Sequence, residues 1–158
     1  MVKIGEMIPE IEEEIYQDYE IKKIKLSDYK GKGVVLAFYP ADFTYVCPTE
    51  LEDLANYYDK FVEAGAEVIS VSTDTAWVHL AWHNESPAIG KVKYPMMADP
   101  TGRVCREFGT MIEDEGLSLR GTFIIDPDGI LKSMDIHDNS IGRTAKEILR
   151  KLQAAIYV

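Results

Sequence analysis

Cysteine is scarce: Cys47 and Cys105 are the two in the chain. Two thiols are too few for a disulfide scaffold, and with no Cys-x-x-Cys pair there is neither a dithiol-exchange motif nor a paired-cysteine metal knuckle. Long apolar runs are missing too. The run through Val34-Val35-Leu36-Ala37-Phe38-Tyr39 falls far short of the ~20 residues that cross a bilayer. The opening Met1-Val2-Lys3-Ile4-Gly5-Glu6 lacks the apolar centre of a secretory signal. Basic residues are outnumbered, 17 against 27 acidic ones, for a formal net charge of −10. A field of that sign repels phosphate backbones and argues against nucleic acid, but it leaves a small uncharged substrate unaffected. Repeats, low-complexity tracts and linker-like stretches are absent. The expectation is a cytoplasmic protein with no membrane or nucleic-acid partner. Its 158 residues, 46% hydrophobic, suffice for one domain, 1–158, with a full core. In a reducing compartment a cysteine is either packing material or a reactive centre, and its neighbours decide which.

Periodicity supplies the elements. Pro9 to Tyr16 alternates apolar and polar residues, and Tyr19 to Ile24 returns as its partner, which predicts an exposed N-terminal hairpin with a solvated acidic face. Gly33 to Tyr39 is continuously apolar, as a central buried strand must be. Leu51, Leu54, Ala55, Tyr58, Phe61 and Val62 then repeat at helical spacing, predicting one amphipathic helix from Cys47 to a stop at Gly65. A second buried strand follows at Glu67–Val71, a second helix at Asp74–Asn84, and a short helix from Pro100 to Phe108 closed by Gly109. Asp126-Pro127-Asp128-Gly129 is a strong turn signal, joining Gly121–Ile125 to Ile130–Met134 as an antiparallel hairpin. Thr144-x-x-Glu147 reads as a capping box for a last helix burying Ile148, Leu149, Leu152 and Ile156. This order predicts an α/β fold, a thioredoxin-like sandwich with a central mixed sheet flanked by helices.

Cys47 stands where the central strand gives way to a helix, immediately before Pro48. Proline suits the first helical position because it has no N–H to leave orphaned. The remaining first-turn N–H groups and the helix dipole then favour thiolate over thiol. Thr44, three residues upstream, is placed to offer its hydroxyl to the sulfur or to a bound oxygen. Pro40, at the end of the strand, is placed to wall the pocket.

Pro40-x-x-x-Thr44-x-x-Cys47 resembles the active-site signature of the peroxiredoxins. The stretch Tyr39-Pro40-Ala41-Asp42-Phe43-Thr44-Tyr45-Val46-Cys47-Pro48-Thr49-Glu50-Leu51 is closest to the peroxidase component of bacterial alkyl hydroperoxide reductases, of the typical two-cysteine subfamily. Ser70-Val71-Ser72-Thr73-Asp74, Ala81-Trp82-His83, Asp99-Pro100-Thr101-Gly102, Asp114-Glu115-Gly116 and Ile141-Gly142-Arg143 extend the likeness over nearly the whole chain. The resemblance implies a thiol-dependent peroxidase that reduces hydrogen peroxide and alkyl hydroperoxides through a Cys47 sulfenic acid, without a cofactor. An external thiol or disulfide reductase would be its electron donor, and homodimers would associate through the Cys47 region into a decamer. It also implies a pocket of Pro40, Thr44, Cys47 and Arg120. In-line attack of thiolate on a peroxide builds negative charge on both oxygens, and a guanidinium is the fitting donor to them. Glu50, on the first turn, would accept from Arg120 and hold its plane, with Arg143 as a second supporting arginine. Plainer readings stand beside these: Arg120 as a bridge between surface carboxylates, and Glu50 as a partner of the helix dipole. A redox sensor or holdase chaperone of the same fold is the alternative function.

Other patterns lead nowhere. His79 and His83 lie one helical turn apart, but Leu80 stands where a zinc-protease helix needs Glu and no third ligand is evident, so no metal is expected. The Cys-x5-Arg phosphatase loop fails because position 53 is Asp. The departure from the two-cysteine pattern is the tail. The Val-Cys-Pro that carries a resolving cysteine after the last helix does not occur before Val158. A chain cut short, a naturally short one and a further domain all remain open. Cys105, in Val104-Cys105-Arg106-Glu107-Phe108, is the only substitute and reads as a buried structural thiol, which makes the chain functionally one-cysteine.

Overall fold

The structure is a computed structural model that describes residues 1–44 and 47–156, with Cys47 described in its backbone alone. Five helices and nine strands are present among these residues. The chain opens with β1 (Glu12–Gln17) and β2 (Glu20–Lys25), and β3 (Gly33–Phe38) follows a 3₁₀ turn at Leu26–Tyr29. Next come α1 (Cys47–Asn56), α2 (Tyr58–Glu63), β4 (Ala66–Ser72), α3 (Ala76–Glu85), β5 (Met96–Ala98) and α4 (Arg103–Glu107). The minor ladder β6 (Met111–Ile112) and β7 (Leu117–Ser118) precedes β8 (Arg120–Ile125), β9 (Leu131–His137) and α5 (Ala145–Ile156).

Seven strands form one mixed sheet in the order β2-β1-β5-β4-β3-β8-β9. β3, β4 and β5 run parallel, and β8 returns antiparallel on the other side of β3. All six residues of β3 are buried, because both sheet faces are covered. Val35 and Ala37 pack with Leu51, Leu54, Phe61 and Leu152 on one side. Val34, Leu36 and Phe38 pack with Val104, Cys105 and Phe108 on the other. The strand therefore reads as a continuous apolar run rather than an alternating one. With helices on a mixed sheet, the expected α/β sandwich is the fold.

Three expectations need correction. The N-terminal hairpin exists, turning through Asp18 and Tyr19 at φ +52° and +63°, the two positive values a type I′ connection demands. It is not an exposed appendage, however. β1 also pairs with β5, and Ile15 and Tyr16, on opposite faces of the strand, are buried in the clusters on the two sides of the sheet, while Glu12 and Glu14 stay exposed. The helix after Cys47 is two helices. At Tyr57 the regular helix is interrupted, though the residue keeps a distorted right-handed conformation (φ −97°, ψ 0°); beyond it Phe61 is buried in the core and Val62 is half exposed. The capping box of α5 is half made. Thr144 Oγ1 accepts from the Glu147 N–H at 3.4 Å, but the Glu147 carboxylate turns to Arg150. Asp53 on α1 accepts from the Ala145 N–H at 2.7 Å instead, so α1 caps α5.

Candidate active site

The end of β3, the first turn of α1, the start of β8 and the loop before α5 converge. Cys47 is the first residue of α1; its side chain, with Tyr45 and Val46, lies outside the described residues. Pro40 is buried just past the end of β3. Thr44 is exposed, and its hydroxyl donates to the Ala41 carbonyl at 3.2 Å.

The two arginines and Glu50 are drawn together from distant parts of the chain. Arg120 begins β8 and is 4% exposed; its Nη1 donates to Glu50 Oε1. Its Nε donates to the Asn139 carbonyl at 3.0 Å. Arg143 supplies its backbone N–H to Glu50 Oε2 at 2.9 Å, and its Nε lies 3.3 Å from the same oxygen. The Arg143 fork reaches onward, with Nη1 on the Gly121 carbonyl and the Thr122 hydroxyl and Nη2 on the Phe38 carbonyl. Glu50 is thus clamped between two guanidiniums, and neither surface bridging by Arg120 nor a bare dipole role for Glu50 describes it. Two guanidiniums on one carboxylate gather positive charge in a dry region, where a charge acts far more strongly than in water. That field adds to the N-terminal end of the α1 dipole. Gly121 is required where it sits: a Cβ there would lie 2.8 Å from Thr110 Cγ2.

Cys105 is on α4, fully buried, with its N–H donated to Asp99 Oδ2 at 2.8 Å. Burial, reinforced by the Asp99 charge, pushes its thiol up to about 12. It is therefore a thiol rather than a thiolate at neutral pH, and thiols are poor nucleophiles. Iodoacetamide at pH 8 is expected to leave Cys105 unmodified in the native protein and to label it fully in denaturant, read by peptide mass spectrometry. Labelling of native Cys105 as fast as of a free thiol would contradict its enclosure.

The two histidines are committed elsewhere. His83 faces the Tyr16 hydroxyl and the Val92 carbonyl, and His79 faces Asp42 and the Met97 carbonyl. Among the described residues, no group of three or more His, Cys, Asp or Glu is arranged around a metal position. No described helix is long and apolar enough to cross a membrane. The Asp42–His79 contact was not readable in the sequence. Its only signals were an acidic residue inside the Pro40–Thr44 spacing and a histidine on an apolar helix face.

Comparison with known proteins gives a consistent result. Residues 4–134 match the AhpC/TSA family. A protein named alkyl hydroperoxide reductase C from Staphylococcus haemolyticus is 51% identical over 139 residues, 88% of this chain and 74% of that protein. The crystal structure of Enterococcus faecalis AhpC superposes with a TM-score of 0.95 at 44% identity, covering 98% of this chain and 92% of that one. A reduced 2-Cys peroxiredoxin from Plasmodium vivax superposes with a TM-score of 0.91 at 33% identity, over 96% and 80% of the two chains.

Proposed function

This chain belongs to the AhpC/TSA family, and we propose that it is a thiol-dependent peroxidase with Cys47 as its nucleophile. The observation that carries the reading is the buried Arg120, tied by Glu50 to the first turn of the helix that Cys47 begins. The Cys47 thiolate attacks one peroxide oxygen; an S–O bond forms as the O–O bond breaks, and the sulfur supplies the electron pair. The leaving oxygen takes a proton and departs as water or an alcohol. Arg120 donates to the oxygens as charge builds on them, and the Thr44 hydroxyl orients the bound peroxide against Pro40. An external thiol then displaces water from the sulfenic acid, and a second thiol releases Cys47 from the mixed disulfide. The names of the relatives, alkyl hydroperoxide reductase C and peroxiredoxin, favour turnover over a sensor or holdase role.

We assign the protein to the cytoplasm, where thiols are kept reduced, as one domain. Its assembly surface is the Cys47 region, where Phe43, four residues before Cys47, leaves a large aromatic ring 52% exposed. The test is hydrogen peroxide consumption with dithiothreitol, together with dimedone trapping of Cys47. Turnover well above dithiothreitol alone and a dimedone adduct on the Cys47 peptide are expected. Peroxide loss at the dithiothreitol background, with no adduct, would sink the reading.

A further inference from the structure

Behind the turn that leads to Cys47 lies a buried polar couple that this chemistry does not use. The side chains of Asp42 and His79 are completely enclosed, with His79 Nδ1 2.6 Å from Asp42 Oδ2. His79 Nε2 lies 2.9 Å from the Met97 carbonyl. A carbonyl has no proton to give, so Nε2 must carry one. The contact at Nδ1 then requires a second proton between imidazole and carboxylate, on either atom. Without it, a nitrogen lone pair would face a carboxylate in a dry site. Tyr39 Oη donates to the other Asp42 oxygen at 2.5 Å. The Asp42 N–H donates to Asp74 Oδ2 at 2.8 Å, which also accepts from Ser72. Three contacts therefore converge on one residue of a short turn.

That turn is strained. Phe43 has φ +60°, in the left-handed region that bulky residues rarely adopt. Its ring lies against Trp82 on α3, centroids 6.0 Å apart. Strained conformations persist only where the surroundings over-determine them, and Asp42, immediately before Phe43, is the best-anchored residue of this one. Thr44 follows directly.

We propose that Asp42 and His79 are positioning residues: their shared proton locks the Pro40–Thr44 turn in the geometry that presents Pro40 and Thr44 to the Cys47 reaction. The positioning role rests on the peroxidase reading above; the lock itself does not. Titration runs in the matching direction. Burial works against a charged His79, yet the Asp42 contact outweighs it and the histidine sits above its usual pKa; burial raises Asp42 as well. Among the described residues, the titratable groups facing the couple are Tyr39 at the end of β3 and Asp74 after β4. Tyr39 is held protonated well beyond its ordinary range, chiefly by burial, and the negative charge of Asp74 helps retain the shared proton. From β5 comes the Met97 carbonyl, and on α3 His83 turns away to Tyr16 of β1. With a raised folded-state pKa, the lock is complete at low pH and is lost as pH rises through that value.

Two variants separate the lock from general packing. Asp42→Asn rebuilds the network without a titratable proton: the amide nitrogen donates to a neutral His79 Nδ1 and the amide oxygen accepts from Tyr39. His79→Ala opens it. The measurements are stopped-flow oxidation of Cys47 by hydrogen peroxide across pH, iodoacetamide alkylation of Cys47, which needs the thiolate but not Thr44, and hydrogen exchange at the Asp42 amide. His79→Ala should slow oxidation by about 10²-fold, the scale of a misplacement of about 1 Å, change alkylation by less than about threefold, and speed exchange at Asp42. The wild type should lose oxidation rate at alkaline pH, and Asp42→Asn should abolish that fall while matching the wild type below it. Oxidation of His79→Ala within about threefold of wild type, or an unchanged alkaline fall in Asp42→Asn, would overturn the proposal. A wild type inert to peroxide would fail the peroxidase reading instead, and exchange at Asp42 would still decide the lock, since unaltered exchange in His79→Ala removes it. If His79→Ala does not fold, the Asp42→Asn pH profile decides.

Discussion

Cys47→Ser is expected to reduce peroxide consumption to the background of the added thiol, while Cys105→Ser keeps the initial rate within about twofold. The nucleophile must be a polarisable thiolate at neutral pH, and a serine hydroxyl at the start of α1 is neither ionised nor soft enough to attack a peroxide oxygen. Cys105 does not share this placement. It sits in the core beside Val104 and Phe108, with its pKa pushed up to about 12 by burial. The same asymmetry governs the outcome of excess peroxide without reductant. A disulfide needs Cα atoms about 4.4–6.8 Å apart, and Cys105 reaches solvent only if α4 gives up its packing against the sheet. Cys47 is therefore expected to climb to sulfinic and sulfonic acid. Peptide mass spectrometry distinguishes added oxygens on the Cys47 peptide from a Cys47–Cys105 crosslink. A dominant intrachain crosslink, or a Cys105→Ser protein as dead as Cys47→Ser, would make Cys105 the resolver.

Arg120→Ala is expected to slow formation of the Cys47 sulfenic acid by about 10²–10³, the usual cost of deleting one preorganised donor to developing charge. Thr44→Val should lose activity in the same direction. Arg120 can be removed without dismantling the site, because Arg143 still compensates Glu50 through its N–H and its guanidinium. Glu50→Ala is harsher. It removes the carboxylate that two buried guanidiniums share, and breaking a buried ion pair from one side costs about 3–5 kcal/mol. Arg120→Ala should therefore unfold near the wild-type denaturant midpoint with a large kinetic loss, whereas Glu50→Ala loses stability as well. Stopped-flow oxidation and urea unfolding measure the two effects. A kinetic loss below about threefold for Arg120→Ala would remove that residue from the reaction.

The features legible in the sequence were those with local causes. β3 announced itself because both its faces are covered, which turns the strand wholly apolar. The β8–β9 hairpin was marked by Asp126-Pro127-Asp128-Gly129. The Arg120–Glu50 contact followed from charge complementarity once the resemblance had named Arg120 and the helix pattern had put Glu50 on the first turn. Illegible features were made by tertiary contact. Nothing at Tyr57 breaks a helix, yet the regular helix is interrupted there, before Phe61 enters the core. β5 is only three residues long and exists because β1 and β4 flank it. Asp42 and His79, 37 positions apart, meet only after α3 has docked.

Glu50 and Asp53 lie one turn apart on α1, and each holds the approach to α5: Glu50 through the Arg143 N–H, Asp53 through the Ala145 N–H. Arg143 in turn grips the carbonyls of Phe38 and Gly121 on adjacent strands. The last helix is thereby fastened at its root to the machinery at the start of α1, although its own side chains never approach the chemistry. Fraying of α5 at its far end should be harmless. Opening at its root would slacken the pair of arginines and the first turn of α1 together. On the peroxidase reading, α5 would work as a latch on the site, and catalytic competence would report whether the root of that helix has closed.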